Sequence, residues 1–199
     1  MAKACIDVRL NTEVTPEYAS ASGADVLIAA LGARPVKPPI PGIDGANVLP
    51  AEDAYINPEK TGETVIILGA GLVGLELAIY LSSLGRKVKV VEMLGEMNHG
   101  GNHMHGWAIE IELKKYGIDV YYNTAAVEIK PDGIRCKGPD GEVFYSADTV
   151  IYATGQRPLW DAAEGLSLCT PDFYIVGDAI MPKDIMNSTG MAFSIARSI

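Results

Sequence analysis

The sequence has only three cysteines, Cys5, Cys136 and Cys169, and they lie far apart. No Cys-x-x-Cys pair is present, which excludes a redox dithiol of that kind. An odd and scattered set points to a reducing, cytoplasmic setting rather than a disulfide scaffold. Positive charge is also in short supply: 16 Lys and Arg stand against 25 Asp and Glu, a net charge of -9. With no basic cluster to offset that balance, a nucleic-acid surface is not expected. No apolar run approaches the roughly 20 residues needed to span a membrane. The first residues, MAKACIDVRL, carry no signal-peptide apolar block, and there is no internal repeat or low-complexity tract. What remains is the make-up of a soluble globular protein, 48% hydrophobic and 21% charged over 199 residues. That length suits one large or two modest domains.

The stretch Thr64 to Glu92, TVIILGAGLVGLELAIYLSSLGRKVKVVE, carries the chemistry. Val65 to Leu68 is a short, wholly apolar run, as in a strand buried on both faces of a parallel sheet. Gly69, Ala70, Gly71, Leu72, Val73 and Gly74 then form a G-x-G-x-x-G turn. A helical run follows, with Leu75, Ala78, Ile79, Leu81 and Leu84 available to cover the sheet and Gly85 placed to stop it. A second strand, Val88 to Val91, ends at Glu92. In this context the glycines have separate tasks. Gly69 permits the tight turn, Gly71 lets backbone approach a pyrophosphate, and Gly74 lets helix pack on strand. The helix N-terminus offers amides to the phosphates. Glu92, about 20 residues on, can accept hydrogen bonds from an adenosine ribose. Neither Met93 beside it nor the next three residues supply a cation for a 2′-phosphate, so NADH is expected over NADPH.

Elsewhere the pattern is coarser. Alternation over residues 5–10 suggests a strand, and Val26 to Leu31 reads as a buried strand running into Gly32-Ala33-Arg34-Pro35. Six prolines between Gly32 and Gly62 mark a stiff connector, with at most a short helix near Ala51 to Tyr55. Trp107 to Tyr116 has helical spacing, with Ile109, Leu113 and Tyr116 on one face. Ile118 to Tyr122 reads as a further parallel strand. The period then falls to two over residues 127–145, broken at Pro131-Asp132-Gly133 and Gly138 to Gly141. This spacing predicts a three-stranded antiparallel meander. Strands at Thr149 to Ala153 and Phe173 to Val176, and a helix from Thr189, complete the chain.

In order, these segments run strand into ALGARP, then PPIPG, GAGLVGLE, the meander, ATGQRP and VGDA. The order resembles the pyridine-nucleotide-dependent flavoprotein reductases. It is most similar to the C-terminal half of the 2,4-dienoyl-CoA reductase and 2-enoate reductase-like NADH:flavin oxidoreductases. The resemblance implies an α/β fold: a Rossmann-like, three-layer nicotinamide-binding domain with an antiparallel meander, flanked by parts of an FAD-binding domain. By that analogy residues 1–60 are the end of a first FAD-domain segment and a linker. Residues 61–153 are the NAD-binding domain, and 154–199 an incomplete second FAD segment. The family's first glycine turn, for FAD, has no counterpart, and its first A-T-G is here Ala30-Leu31-Gly32. The chain therefore reads as a fragment of a longer enzyme, whose remaining domains and flavin would be its partners. It is expected to bind NADH but not, alone, FAD.

The resemblance also implies roles. Gly69 to Gly74 would hold the nicotinamide cofactor's pyrophosphate, and Glu92 with Met93 would lie at its adenosine ribose. Glu76 would face the nicotinamide, although a carboxylate favoured by the helix dipole reads equally well there. Ala153 and Gly155 would lie beside the cofactor and Asp178 would bond the flavin ribitol, with a simple turn aspartate as its other reading. No catalytic acid, base or nucleophile stands out. The overall expectation is NADH binding and positioning for hydride transfer to FAD. A ferredoxin- or NADH-oxidase-type reductase and a noncatalytic NAD-sensing module are the alternatives. His99, His103 and His105 lack partners at a familiar metal spacing and are expected as solvated loop residues. Trp107, Tyr121 and Tyr122 are expected in the core, as is the small hydrophobe Cys136.

Overall fold

The computed structural model describes residues 6–98 and 103–199, so Cys5 and His99 lie outside the described residues. The helices are α1 (Pro16–Ala21), α2 (Ala51–Ile56), α3 (Leu72–Ser83), α4 (His103–Tyr116), α5 (Trp160–Glu164) and α6 (Ile185–Ala196). The strands are β1 (Val26–Ala29), β2 (Ala33–Pro35), β3 (Val48–Pro50), β4 (Thr64–Leu68), β5 (Lys87–Val91), β6 (Asp119–Tyr121), β7 (Ala125–Lys130), β8 (Gly133–Gly138), β9 (Gly141–Ser146), β10 (Thr149–Tyr152), β11 (Gln156–Pro158) and β12 (Asp172–Ile175). The chain forms two compact units, one of residues 35–157 and the other of residues 1–34 with 158–199.

The unit of residues 35–157 is built on a five-stranded parallel sheet ordered β3-β10-β4-β5-β6. The unbroken apolar run of β4 has a direct explanation in its two coverings. Val65 and Ile67 share one cluster with Leu75, Leu77, Ala78 and Leu81 of α3, Ile109 and Leu113 of α4, and Ala51 and Ala54 of α2. Ile66 and Leu68 join Val91 and Val150 against Ile129, Ile134 and Cys136 of the antiparallel meander β7-β8-β9. Helices, sheet and meander make three layers, a Rossmann-like α/β arrangement. Each fully buried Ile or Leu contributes about 1.5–3 kcal/mol relative to exposure, so a polar residue anywhere along β4 would be costly.

Helix α3 stops where its glycine requires. Gly85 has φ +86°; its N–H donates to Ser82 O at 3.0 Å, and that of Arg86 to Leu81 O at 3.1 Å. This is the Schellman arrangement, which satisfies carbonyls the helix leaves open. The proline-rich stretch after residue 35 is more than a connector. Val48 and Leu49 pair in register with Val150 and Ile151, adding an edge strand to the sheet, and α2 follows.

Three expectations change. Ile6 to Leu10 form no strand, and Arg9 instead donates to Asp7 and Tyr18. His103 and His105 belong to the first turn of α4 rather than to a loop. Trp107 is 61% exposed: it lies two residues before the buried Ile109, about 200° around the helix, and so faces away from the core. In the other unit, β1 pairs in parallel with β12, Val26 opposite Asp172, while α6 has no buried residue. No helix among the described residues is long and apolar enough to cross a membrane.

Candidate functional site

Strand order reverses between β4 and β10. From β4 the chain moves through α3 to β5 and through α4 to β6, whereas β10 and β3 lie on the opposite side. In open α/β sheets ligands bind beyond the carboxyl ends of the strands at such a switch. Gly69 to Gly74 leave the end of β4 there, and Ala153 to Gly155 leave the end of β10. The two segments touch: Ala153 N–H donates to Leu68 O at 2.8 Å, and a Cβ on Gly69 would sit 2.5 Å from Ala153 O. Gly69 also has φ +108°, a conformation that L side chains rarely adopt.

The other two glycines differ from each other in an informative way. A Cβ at Gly74 would overlap the carbonyl oxygen of Gly69, so only glycine lets α3 start this close to the turn. A Cβ at Gly71 would meet no atom within 4 Å; here the backbone lies open for a ligand to approach. Gly71 is the N-cap of α3, whose first intrahelical bond runs from Leu75 N–H to Gly71 O at 3.0 Å. The amides of Leu72, Val73 and Gly74 precede that bond, and no acidic residue stands in the first turn. The arrangement suits an anion at the positive end of the helix dipole.

Glu92 follows β5 and is 9% exposed. Its Oε2 accepts from Ala70 N–H at 2.7 Å and its Oε1 from Leu94 N–H at 2.8 Å. The carboxylate thus braces the glycine turn against the loop after β5, a task its position in the sequence did not reveal. Each oxygen retains a further lone pair for another donor. Met93 beside it is exposed. Asn98 N–H donates to Ala70 O at 3.1 Å, so the same loop returns alongside Gly71. A cleft of about 400 Å³ opens between this loop, Trp107 and Glu110 of α4, and Tyr122 after β6. Burial, and then the charges of Glu110 and Glu92, raise the Tyr122 hydroxyl above its usual pKa.

Glu76 lies one turn into α3, half exposed, and its Oε1 is 2.8 Å from His105 Nε2 on α4. A tie between the two helices was not legible in the sequence, because nothing local links residues 76 and 105. Tyr55 of α2 donates to Val73 O at 3.4 Å and stacks on Tyr80 of α3. Burial, then the Glu76 charge, pushes its hydroxyl up to about 12, so it remains a donor at neutral pH. Beside β10, Gly155 has φ +106° and its carbonyl accepts from Val36 N–H at 2.9 Å. Asp178 belongs to the other compact unit, in the turn after β12, where its Oδ1 accepts from Lys183 N–H at 3.3 Å. Among the described residues no three His, Cys, Asp or Glu gather as a metal site.

A family model described as pyridine nucleotide-disulphide oxidoreductase matches residues 3–187. The chain belongs to this family. Its members are oxidoreductases that use NAD(H) and FAD. Among similar proteins, a cinnamate reductase of Clostridium sporogenes is 29% identical over 98% of this chain and 29% of its own length. An NADH oxidase of Thermoanaerobacter brockii is 29% identical over 100% of this chain and 32% of its own. A solved 2-naphthoyl-CoA reductase in complex with 2-naphthoyl-CoA is 26% identical with a TM-score of 0.92, covering 100% of this chain and 30% of that one. The chain thus spans about a third of the length of these relatives.

Proposed function

We propose that residues 35–157 bind NADH across the β4/β10 switch point and present its nicotinamide to FAD within a flavin-dependent oxidoreductase. The observation carrying this reading is the open face of Gly71 at the start of α3, at the strand-order reversal. Gly69 to Gly74, with the amides of Leu72 and Val73, hold the pyrophosphate. The remaining acceptor capacity of Glu92 takes the adenosine ribose, with Met93 and the adjoining cleft on the adenosine side. Glu76, Ala153 and Gly155 lie toward the nicotinamide, and Asp178 in the other unit contributes to the flavin. NADH supplies a hydride that FAD takes up; the protein binds and orients.

Similarity to the cinnamate and 2-naphthoyl-CoA reductases favours an enoate-reductase-like parent, in keeping with the 2,4-dienoyl-CoA reductase resemblance. The NADH oxidase relative, of equal identity, supports the oxidase-type reductase as a second reading. Both readings require the same nucleotide site. Fluorescence titration with NADH and NADPH tests it. The Glu92 carboxylate repels a 2′-phosphate but accepts from a 2′-hydroxyl, so NADH is expected to bind at least tenfold more tightly, about 1.4 kcal/mol. Equal or tighter binding of NADPH refutes the assignment of Glu92.

A further inference from the structure

Two aromatic side chains and two carboxylates line the cleft of about 400 Å³ beyond β5 and β6: Trp107 and Tyr122, Glu96 and Glu110. Aromatic walls favour a flat ring, and an ionised carboxylate can only accept, so the ring must bring a donor on its edge. Trp107 and Glu110 lie three residues apart and share one side of α4. Gly106 lines the cleft with them. Glycine is a poor residue inside a helix; here it keeps the wall beside Trp107 free of a further side chain.

The cleft is tied to the ribose end of the nucleotide site. Glu92 N–H donates to Tyr121 O at 2.9 Å, Asn123 N–H to Leu94 O at 2.9 Å, and Thr124 N–H to Glu92 O at 2.8 Å. These bonds hold Tyr122 about one strand spacing from Glu92, about 4.8 Å at the backbone. Beyond the effect of burial, the Tyr122 hydroxyl feels the charge of Glu110 and then that of Glu92. Glu110 stands on a regular helix, whereas Glu96 belongs to the exposed loop after β5. Along the sheet the order runs β4, β5, β6. With the pyrophosphate on the turn after β4 and the ribose at Glu92 after β5, the base continues toward β6 and this cleft.

We propose that the cleft takes the adenine base, which stacks on Trp107 and donates its exocyclic N–H to the Glu110 carboxylate, so that Glu110 selects adenine. This rests on the NADH reading above. Adenine carries an NH2 donor on that edge. Hypoxanthine carries a carbonyl oxygen there, which would leave two acceptors opposed with no proton between them. A site built to accept from a donor rejects the analogue that lacks it.

The test compares NADH with reduced nicotinamide hypoxanthine dinucleotide by fluorescence titration. The wild-type chain is expected to bind NADH about tenfold more tightly. Glu110→Gln should bring that ratio close to one by strengthening the analogue, because a side-chain amide can turn either its oxygen or its NH2 toward the base. Trp107→Ala should weaken both dinucleotides about tenfold and leave the ratio unchanged. Both side chains are exposed, so neither change empties the core, and a ratio taken within one protein is not mimicked by loss of folded material. A purely structural role for Glu110 would move both affinities together. A wild-type ratio near one, or a ratio unchanged in Glu110→Gln, overturns the selection by Glu110 while leaving NADH binding intact. Wild-type affinity in Trp107→Ala overturns the placement of the base in the cleft. Failure of the wild-type chain to bind either dinucleotide overturns the NADH reading itself, and this inference with it.

Discussion

Gly71 and Gly74 lie three residues apart in one turn, yet alanine at each should fail in opposite ways. At Gly74 the added Cβ would overlap Gly69 O. That oxygen cannot easily yield: Gly69 N–H is bound to Val91 O at 2.9 Å, and the residue backs onto Ala153 O. Overpacking of this kind costs about 2–3 kcal/mol, of which the better helix propensity of alanine returns about 1 kcal/mol. The net loss of about 1–2 kcal/mol lowers Tm by about 2–8 °C for a chain of this size. At Gly71, φ is -79° and ψ 173°, an extended conformation open to alanine, and the Cβ meets nothing. Replacing an N-cap glycine with alanine costs about 0.5–1 kcal/mol, and the stiffer unfolded chain returns about 0.4–1 kcal/mol. The melting temperature should therefore barely move. The methyl nevertheless occupies the surface assigned to the pyrophosphate, so NADH affinity should fall by about tenfold or more, about 1.4 kcal/mol. Thermal melts followed by circular dichroism, paired with NADH titration, separate the two effects. A Gly71→Ala variant that binds as wild type would refute the pyrophosphate placement, and an unchanged Gly74→Ala melt would refute the packing.

Two further outcomes are expected. Burial pushes the Cys136 thiol up to about 11, so it stays protonated at pH 8 and forms thiolate only as pH rises toward that value. Mass-mapped alkylation of the native protein at pH 8 should label Cys169, which is partly exposed, well before Cys136; equal rates would contradict the packing of the meander on the sheet. The sequence holds one G-x-G-x-x-G turn, assigned here to NADH, so the 199-residue chain produced alone should purify colourless. Visible absorbance showing about one FAD per chain after desalting would reveal a second phosphate site.

The Rossmann-like core was legible in the sequence because its signals are local. The apolar run of β4, the glycine turn, the Gly85 stop and Glu92 follow one another within a single strand–helix–strand unit, each with its own steric or hydrogen-bonding reason. The meander was legible too, through its change of period. What the sequence could not display were relations between residues far apart in the chain. Whether Trp107 faced the core depended on where α4 begins and which side of it meets α3. The stretch rich in proline looked like a connector, and only pairing with β10 made part of it an edge strand. Glu92 had a ribose to meet by its position, but the bond to Ala70 required β4 and β5 side by side. Glu76 with His105, and Glu52 with Gln156, came together through helix packing and strand order over 29 and 104 residues of chain. Steric rules and periodicity act between neighbours in the chain, so one sequence reveals them; polar partnerships are set by which elements the folded sheet places next to each other, and only the tertiary structure decides that.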